Sequence, residues 1–127
     1  NTGLARKWFA PDLDTADWKS IRTGLNWEAQ GYDYNGLAWY RRTVKLGNRP
    51  GKRTMLHFGA VDEQTVVWID GKEAGRHEEG PSAWDKPFSF DITELLGTQD
   101  AAYMIAIQVH DSMAAGGIWK PVWIAWE

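Results

Sequence analysis

Trp84 follows the polar run Gly80-Pro81-Ser82, and Trp119 follows Gly116-Gly117 and precedes Lys120. Tyr32 and Tyr34 stand just before Asn35, His77 ends the segment Lys72–His77, and Asp111 lies at the end of an apolar run. These are aromatic rings set among carboxylate, amide, imidazole and ammonium groups. Such a mixture suits a sugar: the C–H-rich face of a pyranose packs on an indole or phenol, and its hydroxyls pair with the polar groups. The chemistry is available only if the fold brings these distant positions together.

Other groupings carry less. Glu78-Glu79 and Asp62-Glu63 could suggest an acid–base pair, but neighbouring side chains diverge, and solvated loop charge is the plainer reading. Asp12, Asp14 and Asp17 offer oxygens for calcium, yet the run lacks the glycine and later glutamate of a calcium loop. A calcium site built from backbone carbonyls would leave no trace in sequence. His57, His77 and His110 are too dispersed for zinc; His57 and His110 read as strand residues. Trp39 and Trp68 lie inside apolar runs and read as packing residues. Trp123 and Trp126 point to opposite faces by period two, so one should be core while the other covers a neighbour.

Positioning falls to strands. Leu37–Leu46 alternates, with Ala38, Tyr40, Arg42, Val44 and Leu46 on one face. Arg53–Val61 and Thr65–Asp70 are rich in β-branched and aromatic residues. Asp70-Gly71 between Thr65–Asp70 and Lys72–His77 marks a type I′ hairpin, because both central residues must take positive φ. Lys86–Ile92, Tyr103–Asp111 and Pro121–Trp126 are further strands, and only Ile92–Gly97 resembles a helical turn, with Gly97 as its cap. Short strands without βα alternation predict an all-β antiparallel sandwich.

If each strand reverses the last, the loops sort into two ends. One end collects ordinary turn residues. The other collects Trp27, Tyr32, Tyr34, Trp84 and Trp119 with Asn35, His77, Glu78, Asp85, Asp111 and Lys120. That end is the predicted binding surface, comprising Trp84, Trp119, Tyr32, Tyr34, Asn35, His77, Asp111 and Lys120. Loops on a rigid scaffold are where function usually sits.

The 127 residues suffice for one domain with its own core, and no repeat or linker divides 1–127. Nine tryptophans are more than such a core needs, so some are expected at a surface. A net charge of −3 gives no basic footprint for nucleic acid. No apolar run is long enough for a membrane helix. Zero cysteines exclude a disulfide framework and thiolate metal sites. The start at Asn1-Thr2 reads as a mature form or an excised fragment.

AWYRRTV, HFGAVDEQTVVWIDGKEAGRHEEG, PFSFDITELL and IQVHDSMAAGGIWKPVWI, in that order and with these gaps, closely resemble the sugar-binding domain of glycoside hydrolase family 2 enzymes. DTADWKSI resembles the family's opening motif, so the likeness runs from about Arg6 to Trp126. It implies a galactose-binding-domain-like jelly roll beside a catalytic barrel of the same polypeptide, and Arg41-Arg42 resembles the family's strand pair, of which one arginine faces inward and meets a carboxylate. It also implies that Asn35, shortly before Tyr40, reaches toward a sugar site, as does Asp111, the nearest match to an aspartate before the family's Gly-Ile segment. The family carries its paired catalytic carboxylates, about 5 Å apart in retaining glycosidases, on the barrel.

Three readings follow. The chain is a non-catalytic carbohydrate-binding module that holds an oligo- or polysaccharide for an attached hydrolase, outside the cell or in the periplasm. Alternatively it is a scaffold lending loop residues to a barrel's active site, or a structural sandwich whose surplus tryptophans cover a neighbour.

Overall fold

The computed structural model describes residues 2–32, 34, 36–80, 84–112 and 116–127. Among the described residues, a short helix α1 (Thr2–Ala5) and a 3-10 turn (Glu28–Gln30) precede seven strands. They are β1 (Gly36–Leu46), β2 (Thr54–Phe58), β3 (Gln64–Ile69), β4 (Lys72–Glu78), β5 (Phe88–Asp91), β6 (Ala101–Asp111) and β7 (Val122–Trp126). One sheet has the order β1-β6-β3-β4 and the other β5-β2-β7, and every pairing is antiparallel. This is the expected jelly-roll sandwich.

Strand parity holds throughout. Gly36 pairs with Asp111, Gln64 with both His110 and Glu78, and Phe58 with both Phe88 and Val122. The strand ends leading to Tyr34, Trp84 and Trp119 therefore lie at one pole. At the other, Leu46 meets Ala101, Ile69 meets Lys72 and Thr54 meets Trp126. Asn48 Nδ2 ties the sheets together there, donating to the carbonyls of Thr93 and Leu96 at 2.8 and 3.0 Å. At the hairpin, Asp70 and Gly71 take φ of 47° and 82°, as a type I′ turn requires. The turn after β5 is 3-10 (Thr93–Leu95) and is capped by Leu96. Gly97 is not its cap; its N–H donates to Tyr103 Oη instead.

Alternation explains the core. Tyr40, Leu56, Phe58, Val67, Ile69, Ile105, Ile107 and Val109 project between the sheets, joined by Trp27, Ile92 and Ile118 from the connections. The large sheet is buried on its outer face as well. There Trp39 and Trp68 stack at 5.0 Å, and Phe9 of the N-terminal segment lies on Trp68 at 5.0 Å, over Val66, Met104 and Ala106. The predicted packing roles of Trp39 and Trp68 are met by this second cluster. Arg41 holds its cover in place, donating to the carbonyls of Trp8 and Ala10 at 2.7 and 2.6 Å. Neither arginine of the pair is buried between the sheets: Arg41 shares the outer-face parity of Trp39 and binds backbone carbonyls, with burial drawing its pKa down, and Arg42 is exposed.

The last strand departs from expectation. Neither Trp123 nor Trp126 is core: they are 48% and 38% exposed. Val122 and Ile124 pack against the core instead. Trp123 stands on the outer face of the small sheet, stacked on His57 at 5.1 Å. Trp126 shares the inward parity of Val122 and Ile124, but it lies at the sandwich's end. Its Nε1 donates to the Gly47 carbonyl at 2.9 Å, and Arg49 covers its ring at 4.3 Å.

Candidate functional site at the loop pole

The loop after β4 and the loop before β7 meet at the pole. Trp84 and Trp119 stack with centroids 5.7 Å apart and planes 22° from parallel. Trp119 Nε1 donates to the Trp84 carbonyl at 2.8 Å, which fixes the pair in register. Lys120 lays its ammonium over the Trp119 ring at 4.8 Å. Trp84 is 51% exposed, more than any other large hydrophobic side chain among the described residues. The two roles therefore separate: Trp84 offers the open ring, and half-buried Trp119 supports it.

Tyr32 and Tyr34 reach the same pole but line a different surface. Both are exposed, and with Trp8, Trp18, Trp27 and Trp39 they border a cavity of about 290 Å³ between the N-terminal segment and β1. Trp27, itself buried, fixes the position of Tyr34 by donating Nε1 to its carbonyl at 2.9 Å. Trp8 and Trp18 were not among the sequence candidates. They come from a segment without strand periodicity, and only its docking on β1 puts them here. His77 is not a loop residue. It sits in β4 and stacks on Phe88 at 4.1 Å, with its side chain only 14% exposed. Asn35 lies outside the described residues.

Beneath the rim lies an acidic group. Asp62, Glu63 and Asp111 are 5%, 4% and 0% exposed, and each offers a carboxylate oxygen within 4.8 Å of the others. Asp62-Glu63, expected as solvated loop charge, is therefore buried. The reason is topological: the β2–β3 turn packs under the segment entering β7, where the Asp62 N–H donates to the Gly117 carbonyl at 3.1 Å. Asp111, read from sequence as a sugar contact, has no open surface and faces this group. Ser112 binds Glu63 Oε1 through its N–H and hydroxyl at 3.1 and 2.7 Å. Glu63 takes a left-handed φ of 38°, unusual for a side-chain-bearing residue. Burial, the hydrogen bond to Asp111 and the charges of Asp111, Glu63 and Glu28 push the Asp62 carboxyl up to about 8.

Gly116 and Gly117 close this arrangement. The Gly116 N–H donates to Glu28 Oε2 at 2.9 Å, and its carbonyl accepts from Trp27 N–H at 2.9 Å. A Cβ on Gly116 would collide with the Trp27 ring and Asp111 Oδ2. Tyr40 Oη sits close to Gly117 and accepts from Ile118 N–H at 3.4 Å, joining the two sheets. Asp12, Asp14 and Asp17 do not assemble with one another into a ligand set among the described residues. Asp14 Oδ1 instead accepts from Ala16 N–H at 2.9 Å.

No family model matches the chain. Individual relatives do. The chain is 33% identical over 107 residues to a β-galactosidase of Thermoanaerobacter pseudethanolicus, covering 72% of this chain and 14% of that one. It is 34% identical over 104 residues to the β-glucuronidase of Canis lupus familiaris, covering 74% and 15%. Among solved structures, a Bacteroides uniformis β-glucuronidase superposes with a TM-score of 0.75 at 26% identity, covering 92% and 15%. A family 2 glycosyl hydrolase from Bacteroides cellulosilyticus matches in fold with a TM-score of 0.78 at 19% identity, covering 92% and 18%. The chain thus spans only a small part of each relative's length. In sequence and in fold it belongs to glycoside hydrolase family 2, and its β-sandwich matches one small part of such proteins.

Proposed function

We propose that the chain is a non-catalytic ancillary domain of a larger glycoside hydrolase and that its loop pole binds an oligo- or polysaccharide. The Trp84–Trp119 stack with Lys120 carries this reading. An exposed indole held flat by a second ring and a backbone hydrogen bond is a preorganised platform for a pyranose face. The nearby ammonium can pair with hydroxyls or with the carboxylate of a uronic acid. Tyr32 and Tyr34, at the mouth of the aromatic cavity, extend the surface for a longer chain. Relatives named as β-glucuronidases and β-galactosidases make glucuronide- and galactoside-containing glycans the first ligands to try. Acting on such polymers, the whole protein would work outside the cell or in the periplasm.

Titration of the chain with a panel of these glycans, followed by tryptophan fluorescence, tests the reading. Saturable quenching that disappears in Trp84→Ala, with an unchanged circular dichroism spectrum, is expected. Quenching that survives in Trp84→Ala would contradict the platform.

A second reading is favoured by β7. Trp123 on His57 presents an apolar surface on the outer face of the small sheet, suited to packing against an attached catalytic barrel. On that reading the chain is an accessory scaffold. No glycan would bind in isolation, and Trp123→Ser would weaken association with the barrel.

A further inference from the structure

We propose that Asp62, Glu63 and Asp111 form a calcium site beneath the aromatic rim. The three carboxylates come from places far apart in sequence, Asp62-Glu63 in the turn before β3 and Asp111 as the last residue of β6. They meet out of water, each less than a tenth exposed. Oxygens within 4.8 Å of one another are close enough to share one ion after small side-chain shifts toward the ordinary calcium–oxygen distance of about 2.4 Å. A set of oxygens alone selects a hard cation over zinc or copper. The burial disfavours magnesium, which gives up its water shell reluctantly.

A second observation points to a missing ligand. Asp62 Oδ2 is completely buried and has no hydrogen-bond partner. Glu28 Oε1, on the neighbouring turn, is in the same condition. A buried carboxylate oxygen left unmatched costs several times an ordinary hydrogen bond, so such atoms are normally satisfied. The group needs either shared protons or a positive ion, and a divalent ion answers all three carboxylates at once. Surrounding contacts hold the ligands in place: Ser112 on Glu63 Oε1, Gly117 on the Asp62 backbone, and Gly116 across Asp111 Oδ2. Bound calcium would join the turn before β3 to the segments flanking the rim, and so stiffen the loops that carry Trp119. The site stands apart from the glycan reading and survives its failure.

The test uses the chain stripped with EDTA and then dialysed free of chelator at pH 7.5. Titration with terbium, read as luminescence sensitised by tryptophan, reports a lanthanide beside Trp27, whose ring packs against Gly116. Calcium should compete the signal away, and calorimetry should give one equivalent bound. Millimolar calcium should raise Tm by roughly 5 °C. Asp62→Asn and, independently, Glu63→Gln should lose at least tenfold in calcium affinity, while Asp14→Asn, outside the cluster, keeps the parental value. A parent chain with no terbium signal, no heat and no Tm change overturns the site. So does parental affinity in Asp62→Asn or in Glu63→Gln.

Discussion

At the scale of single residues, burial reverses what neighbouring sequence suggests. Asp62-Glu63 looks like loop charge until the turn is placed under Gly116-Gly117, and this placement has a pH consequence. The Asp62 carboxyl rises from an ordinary value of 3.8 to about 8, so the folded chain holds a proton that the unfolded chain releases. Stability from that proton is fully present below about pH 4 and is lost as pH rises through about 8. In the presence of chelator, the urea midpoint should therefore be lower at pH 8.5 than at pH 5. Asp62→Asn, which needs no proton, should flatten the difference; equal midpoints in the parent chain would contradict the burial. Gly116 is the second residue of consequence. Gly116→Ala would push a methyl group into Trp27 and Asp111, and should cost about 1–3 kcal/mol in denaturant unfolding. Of the sequence candidates, Trp84, Trp119 and Lys120 meet as expected. Asp111 and His77 arrive at the same pole but turn inward, because an odd-numbered position at the end of β6 faces the core and His77 stacks on Phe88.

At the scale of elements, the strands were legible because each carries its own alternation or turn signal, as in Tyr103–Asp111 and at Asp70-Gly71. The segment before β1 was not. It has no period to read, and its course follows from tertiary contacts: Phe9 on Trp68, and the Trp8 and Ala10 carbonyls on Arg41. Arg41→Ala should release this cover, lowering stability by about 2 kcal/mol and exposing residues 2–20 to protease. Arg41→Lys should recover only part of the loss, since a single ammonium cannot reproduce the planar fork of donors. Proteolysis unchanged in Arg41→Ala would show that the ring contacts of Trp8 and Phe9 on Trp39 and Trp68 hold the segment without Arg41. On β7, alternation was read correctly but its consequence was not. Trp126 has inward parity yet stands past the end of the core, and the outward parity of Trp123 leaves it on an uncovered sheet face.

At the scale of the whole molecule, one regularity does most of the positioning: every strand reverses, so Tyr34, Trp84 and Trp119 gather at one pole although they are spread over 86 positions of sequence. The common pole was legible from parity alone. Its division into a rim platform, an aromatic cavity and a buried acidic group was not, because side-chain direction within loops has no sequence period. Chemically identical rings take different roles in this fold, and each of the nine tryptophans carries an indole N–H that can be followed separately. The most direct test is a proton–nitrogen correlation spectrum of the indole groups, recorded while a glucuronide- or galactoside-containing oligosaccharide is added. The Trp84 and Trp119 signals should shift and saturate together, with Trp123, Trp126 and Trp68 unmoved. Shifts confined to Trp123 or Trp126, or none at Trp84 while other rings respond, would contradict a glycan platform at the loop pole.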